Sequence, residues 1–159
     1  MWNPLVSFLS LFIPPAPAGY SARFAAFMPL YLDFEGGLCS DPGDTGGLTN
    51  FGIDQASHPK VDVRNLTKED AMEIYWADWQ RLGIERMSSP LGEVYFDTAE
   101  NLGVGEANMI KARKSTWSGF IEDRRNVYDE IAERHPADHQ FLAGWLNRCT
   151  RLAAWCRTV

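Results

Sequence analysis

Apolar residues recur at three- and four-residue spacings through Phe24, Phe27, Met28, Tyr31 and Leu32, the stripe of an amphipathic helix, and Ser21 stands where an N-cap belongs. Pro29 falls inside that stripe, which predicts a kink or a later start, and Gly36-Gly37 predicts the end. Thr67 with Asp70 reads as a capping box ahead of a helix to about Leu82, carrying Ala71, Met72, Ile74, Tyr75 and Trp79. Ser89-Pro90 predicts another start, with Pro at the first helical position, over Val94, Tyr95, Thr98 and Ala99 to near Gly103. Gly105 to Glu133 is helical in pattern, weakened in its middle by Ser115, Thr116, Ser118 and Gly119, and His135-Pro136 breaks it. A last helix holds Phe141, Leu142, Trp145, Leu146, Cys149, Leu152 and Cys156.

Between the first two helices the pattern changes. Residues 37–59 are crowded with Gly, Asp, Asn, Thr and Pro, which is dense turn chemistry, and Leu48 to Ile53 suits a small irregular hairpin. The expected fold is therefore mainly α within an α+β plan: a helical core with a small irregular β-hairpin lobe beside a cleft. Residues 20–159 read as a single domain with no internal repeat. Residues 1–19 form an apolar, Pro-rich arm. Its apolar run suits a signal peptide in length, and Ala16-Pro17-Ala18 faintly suggests a cleavage site, but no Lys or Arg precedes the run and Pro4 interrupts it. The run is too short to span a bilayer. Packing of the arm on the domain or a partner chain is the favoured expectation over membrane contact through residues 1–13.

Composition narrows the function. Apolar residues make up 45% and charged residues 23%, near the average for globular chains. The net charge of −6, with no basic stripe interleaved by aromatics, argues against a nucleic-acid partner. Arg113, Lys114, Arg124 and Arg125 fall in helical sequence rich in Asp and Glu and read as a solvated face. The three cysteines Cys39, Cys149 and Cys156 have no metal-ligand spacing. Cys149 and Cys156 lie two helical turns apart, too far for a disulfide, so a Cys39 pairing and buried free thiols both stay open. His58, His135 and His139 have no acid or Cys partner at a telling spacing, and neither a metal nor a cofactor is expected.

Candidate chemistry sits at the junction of the first helix and the polar segment. Glu35 ends an apolar helix immediately before two glycines. A carboxyl there can be half-buried against apolar neighbours, which favours its protonated form, while glycines let backbone and substrate approach. The turn that follows, rich in carboxylates, amides and hydroxyls, can face that acid across a cleft. Glycosidic cleavage needs such parts: a protonated acid for the leaving oxygen, and a second polar group to place water or stabilise charge on the sugar. By spacing alone, an ordinary helix-end Glu and an ordinary Asp-Pro-Gly-Asp turn remain the commoner readings.

The segment resembles the signature of the glycoside hydrolase family 108 muramidases, which carry Glu-Gly-Gly, then Asp-Pro, then Gly-Gly-x-Thr-x-x-Gly-Ile. This chain has Glu35-Gly36-Gly37, Asp41-Pro42 and Gly46-Gly47-Leu48-Thr49-Asn50-Phe51-Gly52-Ile53. Asn65 to Ala71 with Ile74-Tyr75 resembles the family's next helix. Phe96-Asp97-Thr98-Ala99-Glu100-Asn101-Leu102-Gly103-Val104-Gly105-Glu106-Ala107 resembles its Phe-Asp-x-Ala-x-Asn-x-Gly-x-Gly-x-Ala stretch. The likeness implies a lysozyme-like fold with Glu35 as catalytic acid. Related phage-type lysozymes add an Asp nine residues on and a Thr near the start of the next strand, which points to Asp44 and Thr49; Asp41, in the Asp-Pro position, competes with Asp44.

Asn50 and Tyr95 are candidate groove residues, with core packing equally expected for Tyr95. Asp97 and Asn101, four apart on one helical face, are expected to bond the backbone of the polar lobe and hold Glu35 in place. Phe120 to Leu152, with Gly144-Trp145-Leu146-Asn147-Arg148, resembles only the last part of the peptidoglycan-binding module that many family members carry, so these helices are expected to complete the lysozyme core. The implied function is hydrolysis of the β-1,4 bond between N-acetylmuramic acid and N-acetylglucosamine in peptidoglycan by a monomer. The implied setting is a phage endolysin or wall-piercing enzyme acting in the periplasm or on the cell wall. The alternative is a catalytically silent wall-binding or secretion-accessory protein on the same fold.

Overall fold

The computed structural model describes residues 19–40 and 48–159. The first helix, α1 (Ala22–Glu35), begins as the pattern predicts: the Ser21 hydroxyl accepts from the Phe24 amide at 3.1 Å. Pro29 neither breaks α1 nor delays its start. Its ring is exposed, so the backbone carbonyl that loses its partner at this proline is on the solvent side, while Phe24, Phe27, Met28, Tyr31 and Leu32 remain buried opposite. Gly36, at φ 71°, ends the helix and donates to the Leu32 carbonyl at 3.2 Å.

The polar segment forms a three-stranded antiparallel sheet, β1 (Cys39–Ser40), β2 (Leu48–Asn50) and β3 (Ile53–Asp54), in chain order. Cys39 pairs with Thr49, and Thr49 with Asp54. Phe51 and Gly52 link β2 to β3 with φ of 51° and 77°, the positive pair that tight hairpin turns demand.

Five more helices follow. In α2 (Lys68–Arg81) the capping box is complete, Thr67 accepting from the Asp70 amide at 3.1 Å and Asp70 from the Thr67 amide at 3.0 Å. In α3 (Leu91–Leu102), Pro90 is the capping residue rather than the first helical one. The stretch read as one helix from Gly105 to Glu133 is two, α4 (Val104–Arg113) and α5 (Trp117–Arg134). Between them Lys114 turns extended and the Thr116 hydroxyl accepts from the Gly119 amide at 3.2 Å, so the hydroxyl residues that weakened the pattern start a new helix. A short 3-10 turn at Pro136–Asp138 leads into α6 (His139–Cys156). None of the described helices is long and apolar enough to cross a membrane.

The core is aromatic. Phe96 of α3 meets Trp79 of α2 and Tyr31 of α1, each at 5.2 Å between ring centroids, and Phe27 meets Trp155 of α6 at 5.0 Å. Cys149, Leu152 and Cys156 of α6 are buried in the same cluster, so the C-terminal helices are part of this core. All three thiols are free.

One buried ion pair locks α1 to α3. Glu93 is fully buried; both its oxygens take Arg23 at 2.6 Å, and the Ser89 hydroxyl donates to it at 2.9 Å. Arg23 also donates to the Ile84 and Met87 carbonyls. Arg23→Ala would strand a charge in the interior, and urea unfolding should show a loss of about 3 kcal/mol.

Candidate active site

The Glu35 carboxylate is held from two sides. Nη2 of Arg148, on α6, donates to Oε1 at 2.6 Å across 113 residues of sequence. Oε2 faces the β2–β3 turn: a Cβ added to Gly52 would stand 2.5 Å from Oε2 and 2.8 Å from the Tyr75 hydroxyl. Glycine is thus needed there twice, for φ and for room. The Tyr75 hydroxyl donates to the Phe51 carbonyl at 2.7 Å and fixes the turn. Burial, with the Glu35 charge adding to it, raises the Tyr75 phenol well above its ordinary range and keeps it a neutral donor.

Arg148 is held in turn. Its Nη2 and Nε donate to Oδ1 of Asp97 at 2.6 and 3.0 Å, and its guanidinium lies 4.7 Å from the Phe34 ring centroid and 5.5 Å from that of Tyr31. Asp97, fully buried, also pairs with Nη1 of Arg124, which is itself fully buried. Arg124 donates to Thr98 Oγ1 at 3.2 Å and to the Tyr128 hydroxyl at 2.8 and 3.0 Å, and that hydroxyl donates to Asn101. Burial alone would raise the Asp97 carboxyl, but the two guanidiniums more than offset it and hold it below the ordinary carboxylate range. Asp97 thus pairs with both guanidiniums, and Arg148 also donates to the Glu35 carboxyl at the partly exposed end of the cluster, so none of these charges is buried without a partner.

Several expectations change. Asp97 holds Glu35 through Arg148, and Asn101 serves Tyr128 and Arg124; among the described residues neither bonds the backbone of the β lobe. Arg124, read as part of a solvated face, is in the core, whereas Arg113 is exposed as expected and Lys114 and Arg125 are partly exposed. Tyr95 does not line the cleft: two residues from Asp97, it points to the opposite side of α3, 4% exposed, with its hydroxyl donating to Asn108 at 2.9 Å. Asn50 is also buried, its amide donating to the Val63 and Leu66 carbonyls at 3.2 and 3.3 Å, so it ties the lobe to the segment before α2. Thr49 sits half-buried in the middle strand. Asp41 and Asp44 lie outside the described residues.

Sequence reasoning missed Arg148 and Arg124 as site residues, and also Glu100. Both arginines interrupt apolar helical stripes, Phe120-Ile121-Arg124-Tyr128 and Trp145-Arg148-Cys149-Leu152, which was the available signal. Glu100 is half-buried on α3, one turn beyond Asp97, with no hydrogen-bond or ion-pair partner among the described residues. Burial first, then the charges of Asp78, Glu35 and Asp97, push it up to about 7 against the opposing pull of Arg81.

Residues 28–103 match the family model described as Glycosyl hydrolase 108. The matched stretch includes Glu35, Gly52, Asp97 and Asn101 and ends before either arginine. The fold is similar to that of the solved structure of SagA from Brucella abortus, with a TM-score of 0.68 and 23% identity over 86% of this chain and 94% of that one. The mainly α, lysozyme-like architecture is therefore the one expected from the sequence. No curated protein sequence matches.

Folded Glu100 keeps its proton to about 7, whereas unfolded Glu loses it near 4.5, so stability falls as pH rises through that window. Glu100→Gln removes this loss. Urea unfolding should show the variant gaining about 1–2 kcal/mol on the wild type between pH 5 and pH 8, less than the full shift implies because water still reaches the carboxyl. An equal difference at both pH values would refute the raised titration.

Proposed function

We propose that this protein, whose residues 28–103 match the family model described as Glycosyl hydrolase 108, is an N-acetylmuramidase. It hydrolyses the β-1,4 bond between N-acetylmuramic acid and N-acetylglucosamine in peptidoglycan. The observation that carries the reading is the division of labour at the Glu35 carboxyl: Oε1 is taken by Arg148, while Oε2 stands at the β lobe, beside the Gly52 backbone.

In this mechanism Oε2 bears the proton and delivers it to the glycosidic oxygen as the bond to the anomeric carbon breaks. The carboxylate left behind is the form that Arg148 binds best, so the contact strengthens as the proton departs, the kind of interaction that lowers a barrier. The oxocarbenium-like sugar then needs a negative or water-placing group on its other face. Asp44, with Asp41 as its competitor, is assigned that part from its distance of nine residues after Glu35, and Thr49, fourteen after, helps hold the water. Asp97 and Arg124 are positioning residues that act through Arg148. The same spacing motivates assignment to a phage-type enzyme, an endolysin or a wall-piercing protein, acting as a monomer in the periplasm or on the wall.

Release of reducing ends from purified peptidoglycan tests the proposal. Glu35→Gln should lower the rate about 10³-fold with unchanged far-UV circular dichroism. If the variant clears peptidoglycan as well as the wild type, Glu35 is not the acid. A wild-type protein that binds wall but releases no reducing ends would instead be the silent wall-binding or secretion-accessory protein. Chitin assayed in parallel, with mass analysis of the fragments, distinguishes the polymer and separates hydrolysis from anhydro-sugar formation.

Gly52→Ala makes a sharper geometric test. Its methyl group would displace Oε2 by a fraction of an ångström to an ångström, and kcat should fall about 10²-fold. Wild-type kcat in this variant would show that the turn does not set the position of the acid.

A further inference from the structure

Glu35 lies between the β lobe, which abuts Oε2, and α6, which holds Oε1 through Arg148. A polymer cut within its length has to be gripped on both sides of the acid, so one arm of the chain passes the lobe and the other passes α6. On α6, Phe141, Trp145 and Arg148 follow one another at i, i+4 and i+7 and share a face.

We propose that Trp145 and Phe141 form a stacking subsite for the sugar rings of the glycan strand, continuing the Glu35 cleft along α6. The proposal rests on the muramidase reading for the identity of its ligand and on the following geometry for its place. Trp145 lies flat on Tyr128, with ring centroids 5.0 Å apart and planes 20° apart. Tyr128 is itself immobilised by Arg124 and Asn101, the same residues that set Asp97 and Arg148. The indole is therefore pre-organised by the network that orients the acid. Phe141 adjoins it at 6.1 Å and is half exposed, and a Cβ at the intervening Gly144 would meet nothing within 4 Å among the described residues. One exposed phenyl ring on a surface means nothing by itself. Here it extends a rigid aromatic row that ends at the residue gripping Glu35.

The chemistry of the row fits a pyranose. A sugar ring presents an apolar C–H face to an aromatic plane and keeps its hydroxyl and acetamido groups at the edges, where polar side chains select its orientation. Asn101, exposed where it accepts from Tyr128, can supply such an edge contact. An acidic chain has little electrostatic attraction to an anionic wall, which leaves more of the affinity to stacking of this kind.

The test compares peptidoglycan glycan tetrasaccharides with octasaccharides. Phe141→Ala removes an exposed ring and should keep the fold. It is expected to lower kcat/KM for the octasaccharide about tenfold, through KM with kcat unchanged, and to leave the tetrasaccharide within twofold. Trp145→Ala should lose more, and Trp145→Tyr, which preserves a stacking face, should recover most of the wild-type value; this rescue separates stacking from core damage. If wild type and Phe141→Ala share one length dependence, the subsite does not exist. Should the wild type cleave neither length, the muramidase reading fails, and the same variants are then compared by equilibrium binding of the octasaccharide. A tenfold weaker Kd for Phe141→Ala supports the subsite, and an equal Kd overturns it.

Discussion

Asp97 between Arg124 and Arg148 is the interaction on which the rest of the structure depends. A lone carboxylate at the centre of a helical core is too costly to keep ionised, and a lone guanidinium is no better. Here Asp97 is shared by the two guanidiniums, whose other partners are Thr98, Tyr128 and Asn101 on the Arg124 side and the Glu35 carboxyl on the Arg148 side. The cluster bridges α1, α3, α5 and α6. It fixes where the end of α1 stands relative to α6, and Glu35 takes the orientation of its Oε1 from that fit. A planar, forked guanidinium matters here, since Arg148 must serve two carboxylates at fixed angles while lying against the rings of Phe34 and Tyr31; the point charge of a lysine reproduces neither.

The opposite wall is set by backbone rather than charge. The β2–β3 turn places Gly52 in contact with the acid, and two independent constraints hold it there. The Tyr75 hydroxyl grips the Phe51 carbonyl, and Asn50 anchors the strand to the segment leading into α2. The site thus combines one rigid electrostatic face with one rigid steric face, and Oε2 of Glu35 lies at the steric one.

Local chemistry was legible in the sequence, and distant pairing was not. Ser21 and the Thr67–Asp70 box announced their helices because a cap is a relation among residues three apart. Glu35-Gly36-Gly37 and the later Gly52 stood out because glycine marks backbone that must turn or make room. The break at Lys114–Thr116 was visible only as weakness, since hydroxyl residues lower helix propensity without saying whether they end one helix or start another. Arg124 and Arg148 were hidden for a different reason. A charged residue in a polar sequence reads as surface, and recognising it as interior requires its partner, which for Glu35 lies on a helix at the far end of the chain. Tyr95 stood open between groove and core, and the core reading holds: two positions along α3 turn a side chain by about 200°, from the face that meets the arginines to the face that packs on α4.

That separation in sequence has a consequence for how the protein is made. A chain emerging from the ribosome presents α1 and the β lobe long before α6 exists, and domains assemble as their segments become available. Contacts that span most of a chain also form slowly, because the loop must close before the contact can reward it. Arg148 therefore reaches Glu35 and Asp97 only once α6 has been made, and until then the nascent chain carries an acid that this brace does not yet hold. Competence of the site becomes a checkpoint in biogenesis: a translation product that stalls before α6 already holds Glu35 and the β2–β3 turn and still lacks the arginine that aims the acid.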